Sequence, residues 1–167
     1  MGAAERALLN IGQWLPEGMG ANCEKRAVLF LCLRNSCRSQ MAEGWARTLW
    51  HGEIEPYSAG VAPSALDPRA VAVMREAGID ISSHRPKHLR ELRHVPVHCV
   101  VTLCDEAREA CPAPLAAKVV LHRSFDDPAA LAAQAPSEAH ALAHYRRVRD
   151  ELRAFVERFP EILCGEG

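Results

Sequence analysis

The stretch VLFLCLRNSCRS, residues 28–39, decides how the rest of this chain is interpreted. Its apolar first half is typical of a buried strand that ends at Cys32. Its polar second half forms a short loop, and the helix-forming residues after Ser39 predict a helix directly behind that loop. The sequence therefore places a strand, a loop and a helix N-terminus in direct succession.

This succession predicts an oxyanion site. The loop can curve its backbone N–H groups around one tetrahedral anion, with the positive end of the helix dipole behind them. The planar guanidinium of Arg38 can hold two oxygens of the same anion. Cys32 lies at the base of the loop, where positive surroundings predict a thiolate with a pKa below the value of about 8.5 of a free cysteine. Ser39 either caps the helix or donates a hydrogen bond to this sulfur.

Composition narrows the class of protein. A chain of 167 residues with 49% hydrophobic and 25% charged residues suits a single domain with one core. A formal net charge of -1 argues against nucleic-acid or anionic membrane partners. No apolar run approaches the roughly 18 residues of a membrane span, and the first residues lack a signal-peptide pattern. We therefore expect a cytoplasmic protein that attracts small anions at a local site.

The cysteine content points to thiol chemistry. Seven cysteines without a secretion signal indicate reduced thiols with a redox or catalytic role. Their spacings contain no paired C-x-x-C knuckles, so no structural zinc site is expected. His84 and His88, with Pro86 between them, are more typical of a solvated surface than of a metal site.

Strand and helix patterns alternate along the chain. This order predicts an α/β single domain with a central four-stranded parallel sheet, flanked by helices on both faces. Residues 1–24 are interpreted as an extension and linker, 25–160 as the domain and 161–167 as a tail. The predicted strands cover 26–31, 55–58, 97–103 and 118–121, and the predicted helices cover 39–50, 68–77, 88–93, 105–110 and 137–159.

The carboxyl ends of parallel strands are where such sheets bind ligands. Cys32, Cys104 and the pair Asp126 and Asp127 all lie at predicted strand ends. Asp127, directly before Pro128, suits a general acid held by a rigid turn. It equally suits an ordinary Asp-Pro turn, and spacing does not rank the two neighbouring carboxylates.

Cys104 and Cys111 enclose a segment that we predict to be helical. Seven residues at a helical rise would hold their Cα atoms about 10.5 Å apart, whereas a disulfide requires roughly 4.4–6.8 Å. The two thiols can therefore pair only if the segment unwinds. The alternative is two unrelated thiols, since a buried cysteine often acts as a small hydrophobic residue.

Six short motifs are distributed along the chain: CLRNSCRSQMAEGWA (32–46), YSAG (57–60), VTLC (101–104), CP (111–112), FDDPA (125–129) and RVRDE (147–151). Together they resemble the thioredoxin-coupled arsenate reductases, a family built on the low-molecular-weight protein tyrosine phosphatase fold. The loop alone fits a phosphatase or a reductase, and the added Cys104 and Cys111 make the resemblance specific to the reductases. It covers roughly residues 26–160.

The resemblance implies a relay of three cysteines. Cys32 attacks arsenate held by the loop and Arg38, while Asp127 protonates the departing oxygen. Cys104 then attacks Cys32, which releases arsenite, and Cys111 attacks Cys104 to leave a disulfide that thioredoxin reduces. No bound cofactor is implied, because electrons come from NADPH through thioredoxin reductase and thioredoxin. Glutaredoxin or another thiol system is the alternative reductant.

The resemblance also assigns the oxyanion-binding loop and its competing anions, phosphate and sulfate. Asn35 is expected to maintain the loop shape, and Cys37 to be dispensable but prone to oxidation. Family members commonly have Thr-Gly where this chain has Leu33 and Arg34, and Arg34 would add positive charge at the mouth of the pocket. The implied loop residues are Leu33, Arg34, Asn35, Ser36, Cys37 and Ser39.

A second departure concerns metal binding. Some members of the family bind potassium near the loop through side chains that match Asn35, Glu43 and Ser58, together with an Asp. Lys87 stands in place of that Asp, so we expect its ammonium to replace the cation and no metal to bind. The competing interpretations are a low-molecular-weight tyrosine phosphatase that hydrolyses phosphate monoesters, and a non-catalytic thiol sensor.

Overall fold

The sheet has the predicted architecture. The computed structural model describes residues 25–111, 117–159 and 161. Its strands are β1 (Arg26–Cys32), β2 (Ile54–Gly60), β3 (Cys99–Thr102) and β4 (Val119–His122). All pairings are parallel and the strand order is β2-β1-β3-β4, so β1 lies inside the sheet. The prediction of a single α/β domain around a four-stranded parallel sheet is confirmed.

The helices follow the predicted order, with one addition. They are α1 (Arg38–Leu49), α2 (Pro68–Glu76), a 3-10 helix (Leu89–Leu92), α3 (Asp105–Ala110), α4 (Pro128–Ala133) and α5 (Glu138–Glu157). The sequence analysis did not predict α4, because six mostly alanine residues show no hydrophobic periodicity. No helix in the described part of the chain is long and apolar enough to cross a membrane.

The remaining differences are at element ends. Strand β3 begins at Cys99 instead of residue 97, and β2 extends to Gly60. Helix α2 ends at Glu76, where Gly78 has a φ of 83°, so Ala77 lies outside the helix and is exposed. The predicted extension of residues 1–24 and nearly all of the predicted tail lie outside the described residues.

The core fixes β1 and α1, the two elements that flank the loop. Residues 28–31 of β1 are fully buried, because strands on both sides and helices cover them. The indole N–H groups of Trp45 on α1 and of Trp50, directly after α1, donate to the carbonyls of Arg149 (3.1 Å) and Val156 (2.8 Å) on α5. Helix α1 therefore has a fixed position, and the loop that connects β1 to it is held at both ends.

Gly60 lies beside the loop because of the strand register. It pairs with Cys32 at the end of β2. A Cβ atom at Gly60 would lie 2.8 Å from the carbonyl oxygen of Leu33 and 2.9 Å from backbone atoms of Arg34 and Asn35. Backbone atoms cannot move away as a flexible side chain can, so the loop requires glycine at this position.

We expect Gly60→Ala to displace the loop, lowering the free energy of unfolding by about 1–3 kcal/mol and weakening phosphate binding at least about tenfold. Thermal unfolding and calorimetric titration with inorganic phosphate measure the two effects. The matched control is Gly44→Ala, whose Cβ would meet the side chains of Ile81 and Met74. This control should lose stability and retain phosphate affinity. Equal phosphate affinity in Gly60→Ala and the wild type would contradict the prediction.

Candidate active site

The loop between β1 and α1 has its carbonyl groups turned outward. Three of them accept hydrogen bonds from backbone N–H groups of the segment that follows β2, and a fourth accepts from a side-chain amide. The bonds are Ala62 N to Leu33 O (2.8 Å), Ser64 N to Arg34 O (3.0 Å), Asp67 N to Ser36 O (2.9 Å) and Gln40 Nε2 to Asn35 O (3.2 Å). With these acceptors engaged outside, the concave side of the loop is left to N–H donors, which is the arrangement an oxyanion requires.

Asn35 supplies the unusual backbone angle in this loop. Within the described part of the chain it is the one non-glycine residue with a positive φ, at 51°. Its side-chain oxygen accepts from Gln40 Nε2 (3.0 Å) and from the backbone N–H of Lys87 (3.0 Å). Arg34 does not adopt the left-handed conformation, so the loop closes without a glycine at that position. The side chain of Arg34 is exposed.

The sulfur of Cys32 is buried and hydrogen-bonded. Ser39 Oγ lies 2.8 Å from Sγ, and the backbone N–H of Asn35 donates to Sγ across 3.2 Å. Asn35 Nδ2 donates to Ser39 Oγ (2.8 Å), which leaves the hydroxyl proton available for the sulfur. Helix α1 has Cys37 at its N-cap without a side-chain capping bond. Of the two alternatives for Ser39, the structure therefore has the hydrogen bond to sulfur.

Arg38 and Asp127 lie next to one another at the carboxyl edge of the sheet. Arg38 Nη1 donates to the carbonyl of Phe125 (3.0 Å), and Nη2 lies 3.9 Å from Asp127 Oδ2. The other carboxylate oxygen of Asp127 accepts from the backbone N–H of Ala129 (3.1 Å) and so caps α4. The Asp127 side chain is 43% exposed and that of Arg38 only 12%, so the carboxyl group can exchange protons with solvent.

The structure distinguishes the two neighbouring carboxylates. Asp126 Oδ2 accepts from Arg147 Nη2 on α5 across 3.0 Å, and both side chains are largely exposed. Asp127 has a free oxygen toward Arg38 instead. The geometry therefore favours Asp127 as the acid.

Cys37 differs from Cys32 although both belong to the loop. Burial raises the pKa of the Cys37 thiol well above its ordinary value, and the negative charge of Asp67 raises the pKa further. A thiol reacts with oxidants mainly as the thiolate. The environment of Cys37 therefore argues against the expectation that it is prone to oxidation.

Cys104 lies at the end of β3, at the N-cap of α3, and is buried. Burial raises the pKa of its thiol, and hydrogen bonds from the backbone N–H groups of Ala107 and Leu33 partly offset this shift. The charge of Arg38 also lowers the pKa. The backbone N–H of Leu103 donates to the carbonyl of Leu31 (2.9 Å), so Cys104 and Cys32 follow paired residues at neighbouring strand ends, beside the oxyanion loop.

Cys111 follows α3 and is partly buried, and burial raises the pKa of its thiol. Residues 105–110 form the predicted helix, so Cys104 and Cys111 lie at opposite ends of it. Cys32, Cys104 and Cys111 are all present as free thiols. A disulfide between the last two still requires α3 to unwind.

Lys87 lies behind the loop, where the resemblance implied a cation. Its ammonium donates to the carbonyl of Ser58 (3.0 Å), while Ser58 Oγ lies 3.4 Å from the buried carboxylate of Glu43. Burial lowers the pKa of Lys87, and the charge of Glu43 opposes that shift. The ammonium thus brings a positive charge to the position where the resemblance implied a cation. No group of three or more His, Cys, Asp or Glu side chains within the described residues could hold a metal.

His84 and Gln40 are site residues that the sequence analysis missed. The prediction of a solvated surface is wrong for His84, whose Nδ1 lies 3.0 Å from Gln40 Oε1 and 3.1 Å from Glu43 Oε2. Burial lowers the pKa of this imidazole, and the charge of Glu43 opposes the shift. Gln40 is fully buried and bonds Asn35 with its amide nitrogen. Its position directly after Ser39 was the only signal in the sequence.

Comparisons with known proteins show the family of this chain. The model of the family "Low molecular weight phosphotyrosine protein phosphatase" matches residues 27–165. The arsenate reductase of Halalkalibacterium halodurans is 40% identical over 137 residues, 82% of this chain and 96% of the relative. The arsenate reductase of Bacillus licheniformis is 42% identical over 138 residues, with the same two coverages.

A solved structure leads to the same group of proteins. An arsenate reductase in the phosphate binding state superposes with a TM-score of 0.69 at 32% identity, covering 81% of this chain and 97% of that chain. The chain therefore belongs to the arsenate reductase group of the low molecular weight phosphotyrosine protein phosphatase family.

Proposed function

We propose that this protein reduces arsenate to arsenite through a relay of Cys32, Cys104 and Cys111. The observation that carries the proposal is the position of Cys104, which is buried at the end of β3, the strand that pairs with β1 and so with the strand end at Cys32. A phosphatase needs only the loop, Arg38 and an acid. The thiol of Cys104 beside the loop is needed only if Cys32 is oxidised during the reaction, because Cys104 can then form a disulfide with it.

In the first step the loop N–H groups and Arg38 hold arsenate above Cys32. The Cys32 thiolate, stabilised by Ser39, attacks arsenic, so that an As–S bond forms and an As–O bond breaks. Asp127 donates the proton with which the departing oxygen leaves as water. Arg38 stabilises the negative charge on the remaining oxygens.

In the second step the Cys104 thiolate attacks Sγ of Cys32. A disulfide forms between the two sulfurs, and the electron pair of the As–S bond passes to arsenic. Arsenic(V) becomes arsenic(III), and arsenite leaves. The burial of both sulfurs keeps water and other thiols from this intermediate.

In the third step α3 unwinds and the Cys111 thiolate attacks Cys104. The Cys104–Cys111 disulfide forms, and Cys32 returns as a thiolate. Thioredoxin then reduces this disulfide with its two thiols, and NADPH restores thioredoxin through thioredoxin reductase. The protein needs no bound cofactor for this cycle. We place the cycle in the cytoplasm, where this reducing system operates.

We expect arsenate-dependent NADPH consumption, in the presence of thioredoxin and its reductase, to fall at least about 100-fold in Cys104→Ser and in Cys111→Ser, because each lacks one relay thiol. Cys23→Ser, a substitution in the predicted extension, is the matched control and should retain the wild-type rate. The contrary result is an efficient aryl phosphatase whose activity survives Cys104→Ser, which would assign the protein as a tyrosine phosphatase. Activity with glutaredoxin in place of thioredoxin would change only the identity of the reductant.

The raised pKa of Cys104 predicts how the second step depends on pH. The attacking species is the thiolate, and below its pKa the thiolate fraction rises about tenfold for each pH unit. Single-turnover formation of the Cys32–Cys104 disulfide should therefore accelerate as pH rises from about 7 to 9. The Cys111→Ser variant, mixed with saturating arsenate and quenched by alkylation, isolates this step. A rate that is flat over this range would contradict the assignment of a buried neutral thiol.

The Lys87 ammonium predicts equal activity in potassium and sodium salts, because the charge that a cation would supply is already present. In sodium salts, Lys87→Asp should be less active than the wild type. In potassium salts, the activity of Lys87→Asp should be about threefold or more higher than in sodium salts. Lys118→Asp makes the same charge change at an exposed residue and should respond equally to both salts. Strong stimulation of the wild type by potassium over sodium would exclude this role for Lys87.

A further inference from the structure

His122 forms a bridge around Cys104 that no step described above uses. Its Nδ1 lies 2.7 Å from Thr102 Oγ1, and its Nε2 lies 3.1 Å from Asp105 Oδ1. Thr102 stands two residues before Cys104 in the chain, and Asp105 directly follows it. One imidazole therefore holds the backbone on both sides of this thiol.

The sheet register places the imidazole for this contact. Thr102 and His122 are Cα partners in the parallel pairing of β3 and β4. Thr102 is buried, whereas the His122 side chain is 23% exposed and that of Asp105 62% exposed. The Thr102 contact is therefore the inner, protected arm of the bridge, and the Asp105 contact is the outer arm at the surface.

Donor and acceptor roles follow from the chemistry of the three groups. A carboxylate only accepts, so Nε2–H donates to Asp105. In the neutral imidazole Nδ1 then accepts from the hydroxyl of Thr102. Asp105 is also 3.9 Å from Arg108 Nη2, a longer contact within the same helix.

We propose that His122 is a positioning residue for the relay, and that its contact with Asp105 holds α3 wound until Cys104 has reacted. Asp105 is the first residue of α3, the helix that must unwind before Cys111 reaches Cys104. The contact between Asp105 and His122 on β4 stabilises the form in which α3 is helical and Cys104 and Cys111 are thiols. This contact is lost when the helix unwinds. The Thr102 arm remains and keeps Cys104 beside the loop. This inference rests on the proposed relay.

The test measures the Cys104–Cys111 couple alone, in a Cys32→Ser background. The protein is equilibrated with mixtures of glutathione and glutathione disulfide. Two protein thiols give up two electrons and two protons, and one glutathione disulfide becomes two glutathione molecules. Alkylation followed by peptide mass spectrometry gives the fraction of the disulfide, and neither arsenate nor thioredoxin takes part.

We expect His122→Ala and Asp105→Ala each to raise the equilibrium constant for the Cys104–Cys111 disulfide about threefold to tenfold. The double variant should gain no more than the larger single effect, because both substitutions remove the same contact. Glu106→Ala is the matched control: it removes the other acidic residue of the first turn of α3, where no contact with His122 exists in the structure.

Amide hydrogen exchange supplies a readout that does not depend on redox chemistry. The N–H of Arg108 donates to the carbonyl of Cys104 (3.1 Å), so its exchange reports on the opening of α3. The exchange of this N–H should accelerate about threefold to tenfold in His122→Ala and remain near the wild-type rate in Glu106→Ala.

The contact between Thr102 and His122 has its own test. Thr102→Ser keeps the hydroxyl, so it should position Cys104 better than Thr102→Val. The rate of Cys32–Cys104 disulfide formation in a Cys111→Ser background measures this difference.

Three results would overturn the proposal. They are an equal shift in Glu106→Ala and Asp105→Ala, additive effects of His122→Ala and Asp105→Ala, and the failure of the Cys104–Cys111 disulfide to form at any glutathione ratio. If the protein does not reduce arsenate, but the effects of His122→Ala and Asp105→Ala on the disulfide equilibrium are still non-additive, the proposed function is wrong and the bridge is supported.

Discussion

The site depends on the outward attachment of the loop carbonyls. Backbone N–H groups at Ala62, Ser64 and Asp67 take up three of these acceptors, and the amide of Gln40 takes up another. The loop is thereby kept concave with its donors inward, at the positive end of α1. Gly60 is part of the same constraint, because the strand that leads to this segment passes too close to the loop for a side chain.

Burial affects the thiols of this domain in different ways. Around Cys32, hydrogen bonds from Ser39 and Asn35 compensate the sulfur for the loss of water. At Cys37 the charge of Arg38 opposes the shift, but burial and the Asp67 carboxylate outweigh it, and the pKa of the thiol is raised well above normal. Cys104 is intermediate, since two backbone N–H groups and Arg38 partly offset its burial. In the proposed relay, the sulfur that attacks first is therefore the one with hydrogen bonds from Ser39 and Asn35.

Two polar networks hold this machinery from opposite sides. Behind the loop, Asn35 Oδ1 accepts from the side chain of Gln40 and from the backbone N–H of Lys87, which hold Asn35 at its positive φ. His84 in turn contacts Gln40 and Glu43. At the carboxyl edge of β3 and β4, the His122 bridge holds Cys104 and the start of α3. The first network favours a rigid anion site, and the second involves a helix whose opening the proposed relay requires.

Local patterns in the sequence determined the parallel sheet, the loop between Cys32 and the first helix, and the helix between Cys104 and Cys111. Each of these depends on residues close together in the chain, where periodicity and turn chemistry are readable. Only the tertiary structure showed that Asp127 lies next to Arg38 while Asp126 pairs with Arg147, that Ser39 contacts the sulfur, and which partners His84, Lys87 and His122 have. Those contacts join residues from separate elements, and they follow from strand order and register, which spacing along one chain does not record.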